Sequence, residues 1–197
     1  SIRYVGALSF VDTAFLNESE DEFVTLGSVL VRYNGDSSSV TVPDGISTIS
    51  AYAFLGNNAV TSVNCYDVTH ICEGAFYSLS NLSEINVSNN LVYVGPDAFY
   101  DTAWIKAQSG FVVIGDGVLV SYRKSNTIVE IPSYVKRIAP NAFYANKSIK
   151  SVSIPSSVYD IGARAFMGCS ALEEVKFNSG LVMIDDEAFA QCSSLTS

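Results

Sequence analysis

Residues 142–164 read AFYANKSIKSVSIPSSVYDIGAR and residues 165–187 read AFMGCSALEEVKFNSGLVMIDDE, after which Ala188-Phe189 begins the phrase again. The two lines share a small residue before Phe, an apolar residue six places after it (Ile149, Leu172) and an apolar-polar-apolar triplet (Val152-Ser153-Ile154, Val175-Lys176-Phe177). Two further apolar positions follow, Val158 and Ile161 in one line and Leu181 and Ile184 in the other. The phrase extends along the chain. A small residue followed by Phe stands at Ser9-Phe10, Ala53-Phe54, Ala75-Phe76, Ala98-Phe99, Ala142-Phe143, Ala165-Phe166 and Ala188-Phe189, with Phe spacings of 44, 22, 23, 44, 23 and 23 residues. The unit is therefore about 23 residues, with two intervals of double length.

A unit this short cannot bury its own apolar residues, and stacking successive units joins them into one core. The triplet has the period of two that marks a strand with one buried face. Equivalent triplets are expected to pair as a parallel ladder at roughly 4.8 Å per coil, with the Phe residues stacked down the interior and Ala where a larger side chain finds no room. In the double-length intervals, Phe23–Tyr33 and Phe111–Tyr122 each hold two β-prone runs about a Gly-containing break, the pattern of a hairpin. Asp12-Thr13-Ala14-Phe15 and Asp101-Thr102-Ala103-Trp104 precede these runs at matching places. Two super-repeats result, over about residues 1–92 and 93–197, and no linker divides them. The expected domain is one solenoid over residues 1–197. It enters in mid-unit, with Tyr4-Val5-Gly6 aligned to Tyr93-Val94-Gly95, and shows no polar cap at either end, so a piece of a longer protein is expected.

Composition narrows the classes of function. The 197 residues are 48% hydrophobic and 16% charged, with a net charge of −9. Such a chain can bury a core, which excludes disorder, and it repels phosphate backbones and anionic membranes. Residues 1–98 hold eleven acids against Arg3 and Arg32, so the imbalance belongs to the first half. No run of about 18 apolar residues is present to span a membrane, and Ser1-Ile2-Arg3-Tyr4 does not open a signal peptide. His70 is the only histidine, which excludes metal sites built on several His.

The pattern A-F-x-x-C/N-x-x-L-x-x-V-x-I-P-x-x-V-x-x-I-G-x-x-A-F resembles the BspA-like leucine-rich repeat family. The likeness is carried by Ser153-Ile154-Pro155, Ile161-Gly162, Ala165-Phe166 and Gly168-Cys169-Ser170-Ala171-Leu172, and it covers essentially the whole chain. It implies an α/β repeat: a right-handed leucine-rich-repeat solenoid, strand-rich, with short helical turns and two β-hairpin insertions. It also implies a secreted or cell-surface protein of host-associated anaerobes, some of which bind host matrix proteins, with no enzyme activity and no cofactor. Cys72, Ala139 and Asp185 depart from the pattern, standing where the family prefers Gly.

The remaining chemistry-bearing residues each have a plain structural reading. Cys169 and Cys192 occupy the same repeat position and Cys65 an inner strand position, so all three are expected in the core as small hydrophobes. His70 is expected on an exposed turn. Glu18-Ser19-Glu20-Asp21-Glu22 could attract Ca²⁺, yet its counterpart Lys106–Gly110 holds no carboxylate, and a solvated loop is favoured. Gly115-Asp116-Gly117 is a turn without the lysine of a phosphate loop. The sequons at Asn17, Asn81, Asn86 and Asn146 matter only in a glycosylating host.

A solenoid's strand ladder is an extended binding surface. Its outward positions are Ser39/Thr41, Ser62/Asn64, Glu84/Asn86, Ile128/Glu130, Ser151/Ser153 and Glu174/Lys176. Ser62, Asn64, Glu84, Asn86, Glu130, Ser151, Ser153, Glu174 and Lys176 are the candidate binding residues, against the alternative of ordinary solvated strand surface. Tyr77, Tyr100 and Tyr144 form a second strip, for which packing between coils is favoured over partner contact. The expected function is non-catalytic recognition of a protein or glycan partner, not nucleic acid, with a structural spacer as the alternative.

Overall fold

The computed structural model describes residues 2, 5–6, 9–10 and 13–197. Arg3, Tyr4 and Asp12, which entered the repeat and charge arguments, lie outside them, as does the side chain of Asn17. The chain divides into two compact units, Ser1–Gln108 and Ser109–Ser197. Among the described residues no helix is long and apolar enough to cross a membrane.

The first unit opens with a short helix, α1 (Ala14–Asn17), and an antiparallel hairpin of β1 (Phe23–Leu26) and β2 (Val29–Tyr33). Three coils follow, each contributing one strand to each of two sheets. The longer strands β3 (Ser39–Thr41), β5 (Ser62–Cys65) and β7 (Glu84–Val87) form a parallel sheet with Val40, Val63 and Ile85 in register. The two-residue strands β4 (Thr48–Ile49), β6 (His70–Ile71) and β8 (Tyr93–Val94) form the second, to which β2 adds in parallel through Val29 and Leu30. Helix α2 (Ala103–Ala107) closes the unit, its first turn capped by Thr102, whose hydroxyl accepts from the Ile105 amide at 3.1 Å.

The second unit repeats the plan. Its hairpin is β9 (Gly110–Ile114) and β10 (Val118–Arg123), and its longer ladder is β11 (Ile128–Glu130), β13 (Ser151–Ile154) and β15 (Glu174–Phe177). The shorter ladder is β12 (Arg137–Ile138), β14 (Asp160–Ile161) and β16 (Met183–Ile184), joined to β10. The expected parallel ladders of triplets are thus present, in the expected register.

The aromatic column runs inside each unit. Tyr33, Phe54, Phe76 and Phe99 follow one another with ring centroids 5.1, 5.0 and 5.5 Å apart, and Trp104 ends the column 4.7 Å beyond. In the second unit Tyr122, Phe143, Phe166 and Phe189 are spaced 5.2, 4.5 and 5.0 Å. Tyr33 and Tyr122 show how the hairpins are built in. Each double-length interval contains a coil whose rung is Tyr, and the hairpin's second strand takes the place of a short strand.

The Ala before each Phe is buried, and its carbonyl is occupied. Phe54, Phe76, Phe143 and Phe166 each donate their amide to the Ala that precedes the next Phe, at 2.8–3.1 Å. In three of these coils the residues two before and two after the Phe also donate across to the next coil, as Gly74 does to Pro96 and Ser78 to Tyr100. The backbone achieves this by alternation. All nine non-glycine residues with positive φ among the described residues stand two places before or after a column Phe, from Tyr52 at 57° to Gln191 at 60°. Gly56, Gly74 and Gly168 take the remaining such places. Left-handed residues on either side of each Phe leave alternate amides, those of the two flanking residues and of the Phe between them, pointing along the stack, so the segment that carries the column is hydrogen-bonded without being a strand.

Candidate functional site

Buried valines present the candidate residues outward. Val40, Val63, Val129 and Val152 point inward with at most 2% exposure, Val175 is buried at the same register, and Ile85 holds it half-buried on β7, so their neighbours along each strand face the other way. In the first unit Ser39, Ser62 and Glu84 are adjacent across the sheet, as are Thr41, Asn64 and Asn86. In the second unit the rows are Ile128, Ser151 and Glu174, and Glu130, Ser153 and Lys176. The candidate residues are therefore gathered on two sheets, four on the first unit's and five on the second's.

Their hydrogen bonds differ between the two sheets. On the first, the Asn64 amide donates to the Thr41 hydroxyl at 3.1 Å, while its oxygen accepts from the Asn86 amide at 2.9 Å and from the exposed Tyr66 hydroxyl at 3.3 Å. Asn86 also donates to Glu84 Oε1 at 2.8 Å. On the second, the Ser151 hydroxyl donates to Glu174 Oε2 at 3.2 Å, and Lys176 Nζ approaches the same oxygen at 3.4 Å. The first is a chain of amides ending in a carboxylate; the second neutralises its carboxylate with a lysine.

Beneath the first sheet Cys65 is fully buried, and burial pushes its thiol up to about 12. Cys169 and Cys192 stack in neighbouring coils as expected, each donating its thiol to a column carbonyl, of Phe143 and Phe166 respectively, at 3.2 Å. Burial, with Cys192 beside it, pushes Cys169 up to about 12. Asn57 and Asn146 hold the equivalent position and donate their amides to the preceding coil, to Gly35 and Lys124. Cys and Asn alternate in the motif because both can reach a carbonyl one coil back. Such protonated, buried thiols are poor nucleophiles and poor metal ligands.

The short-strand sheet carries a second outward row that the sequence reading did not single out, because two residues are too few to show a period of two. His70 lies on β6 rather than on a turn, its Nδ1 2.8 Å from the Thr69 hydroxyl and its ring 5.8 Å from that of Tyr93. In the second unit Arg137 donates through Nε to the Tyr159 hydroxyl at 2.7 Å and lies 3.6 Å from Asp160. Burial pushes the Asp160 carboxyl up, against the opposing pull of Arg137. In the first unit Tyr77 stacks on Tyr100 at 4.9 Å, and Tyr100 is nonetheless exposed, as Tyr144 is in the second. The acidic run is a solvated loop: Glu20, Asp21 and Glu22 are exposed, and Asn34 ties the loop down through the carbonyls of Ser19 and Asp21. Asp116 occupies a tight turn and pairs with Lys136. An apolar cleft in the first unit lies among Phe10, Leu16, Val31, Tyr52 and Leu55, and no candidate residue lines it.

Comparison with solved structures finds similar chains. A leucine rich cell surface protein of Faecalibacterium prausnitzii is 18% identical, with 85% of this chain and 76% of that one covered and a TM-score of 0.43. A leucine rich repeat protein of T. pallidum is 22% identical, covering 85% of this chain and 82% of that one at a TM-score of 0.48. The pneumococcal vaccine antigen PcpA is 16% identical, covering 73% and 51% at a TM-score of 0.39. No curated protein matches the chain. Residues 22–116 and 113–197 match the family described as BspA type Leucine rich repeat region, in six copies. With the aromatic column and both strand ladders recurring at the interval of that repeat, the chain belongs to the BspA type leucine-rich repeat family.

Proposed function

We propose that the chain is a non-catalytic recognition module of a secreted or cell-surface protein, holding a protein or glycan partner on the outward faces of its longer strand ladders. The observation that carries this reading is the contrast within each coil. The inward strand positions repeat Val or Ile at one register, while the outward positions change from Ser to Glu, from Asn to Lys and from Thr to Glu on the same frame. A rigid backbone with interchangeable outward groups is how a solenoid acquires a specific surface. The family membership and the cell-surface description of the F. prausnitzii protein support the location.

The reading is tested by screening the chain against matrix proteins and glycans, then repeating each positive with Glu84, Asn86, Glu174 and Lys176 replaced by Ala. Loss of binding without loss of the folded circular dichroism spectrum is expected. Binding that survives the four replacements places the site elsewhere. The alternative, a spacer that presents another domain, draws on the dense hydrogen bonding between coils, and a screen with no positive partner favours it.

A further inference from the structure

The two units present the same sheet with different charge. Aligned on the ladder register and its flanking turns, Asp36, Asp44 and Asp67 of the first unit stand where the second has Ser125, Ser133 and Ser156. Glu84 matches Glu174 and Asn86 matches Lys176, so the lysine that neutralises one carboxylate is an uncharged amide beside the other. The second sheet keeps one further acid, Glu130, where the first has Thr41. Across the first unit the described cations are Arg32, which lines the apolar cleft, and Lys106, which is paired with Asp101 at 2.6 Å. Among the described residues neither makes an ion pair with Glu84, Asp36, Asp44 or Asp67.

The hydrogen-bond inventory has the same sign. The Asn64 and Asn86 amides donate within the ladder, to Thr41, to Asn64 Oδ1 and to Glu84. What remains toward solvent is rich in acceptors: the Asn86 oxygen, the second Glu84 oxygen and the carboxylates of the flanking turns, apart from the Asp67 oxygen that accepts from the Gly45 amide at 3.3 Å. A face with surplus acceptors and uncompensated negative charge is complementary to a partner that brings donors and positive charge.

Resting on the reading of the ladders as binding surfaces, we infer that the β3-β5-β7 face of the first unit docks an extended protein segment carrying Lys or Arg. The equivalent face of the second unit does not. Asn86 is the position that sets the difference, because a lysine there would give Glu84 the partner that Glu174 already has.

The test uses the whole chain and a fluorescent peptide of alternating lysine and serine, read by fluorescence anisotropy, with circular dichroism confirming that each variant is folded. Glu84→Gln with Asp67→Asn is expected to weaken binding by about fivefold or more, and Asn86→Lys comparably, since each exposed charge contact carries up to about fivefold. Glu18→Gln with Glu20→Gln makes the same change of charge in the acidic loop and is expected to leave affinity within about twofold, and added salt weakens binding throughout. If the loop variant weakens binding as much as the face variants, the attraction is that of net charge alone and the inference falls. It falls equally if Asn86→Lys binds as the parent does. A neutral oligosaccharide or acidic peptide held on this face, and released by Asn64→Ala, would overturn the cationic partner while leaving the recognition surface itself standing.

Discussion

Phe166 lies between Phe143 at 4.5 Å and Phe189 at 5.0 Å and exposes none of its surface. Truncating it removes contacts on both faces, in a column whose neighbours are held by inter-coil hydrogen bonds and cannot collapse into the gap. Phe166→Ala is expected to cost about 3–5 kcal/mol, measured by urea unfolding, and an undiminished midpoint would contradict the column. Ala145 tests the backbone that carries it. With φ at 54° it holds a left-handed conformation that disfavours a Cβ, so Ala145→Gly is expected to raise stability by about 0.5–1 kcal/mol in the same assay, the relief of strain outweighing the flexibility added to the unfolded chain. The Phe positions were legible because a residue recurring every 22 or 23 places can be counted. The left-handed positions were not. They hold Tyr, Ser, Asp, Asn, Ala, Arg, Glu and Gln as well as Gly, and what selects their conformation is the pairing of coils rather than the residue.

Each element gains its stability from the coil beside it. A strand such as Arg137–Ile138 has two residues and no standing of its own; it exists between Val118–Leu119 on one side and Asp160–Ile161 on the other. This is why the longer triplet strands can be read from their alternation while the short-strand sheet cannot, and why the sequence shows Tyr33 and Tyr122 as the hairpin residues they are but not as the column rungs they also become. The thiols packed beneath these elements report their integrity through pH. Burial raises Cys65 and Cys169 from an ordinary value of 9.0 to about 12, and Cys72 to about 11. The folded chain thus keeps protons that the unfolded chain releases. The resulting stability is complete below the unfolded value of 9.0 and is lost as pH rises toward the folded values. Urea midpoints are expected to fall steadily above that pH, and Cys65→Val is expected to flatten the fall; equal slopes for parent and variant would show that Cys65 is not held as described.

At the scale of the molecule, the net charge of −9 resides in the first unit, which holds twelve acids against three basic residues, while the second is balanced at eight of each. That asymmetry is visible in the sequence, and so is the equivalence of Asn86 and Lys176 in the repeat; what the sequence does not show is that Lys176 lies 3.4 Å from Glu174 while Asn86 donates to Glu84. The positions of the candidate surface were legible for the same reason as the fold, an outward residue between two inward ones. Their hydrogen bonds were not, because Thr41, Asn64 and Asn86 are 22 or 23 residues apart and meet only when the coils stack. If the outward faces of the longer strands hold the partner, hydrogen exchange on the chain, free and bound to a matrix protein or glycan retrieved by screening, will show it. Slowed exchange confined to Ser39–Val87 or Ile128–Phe177, strongest at the longer strands and the turns that follow them, is the predicted result. Protection centred on the column segments around Tyr77, Tyr100 and Tyr144, with the longer strands unchanged, would contradict it.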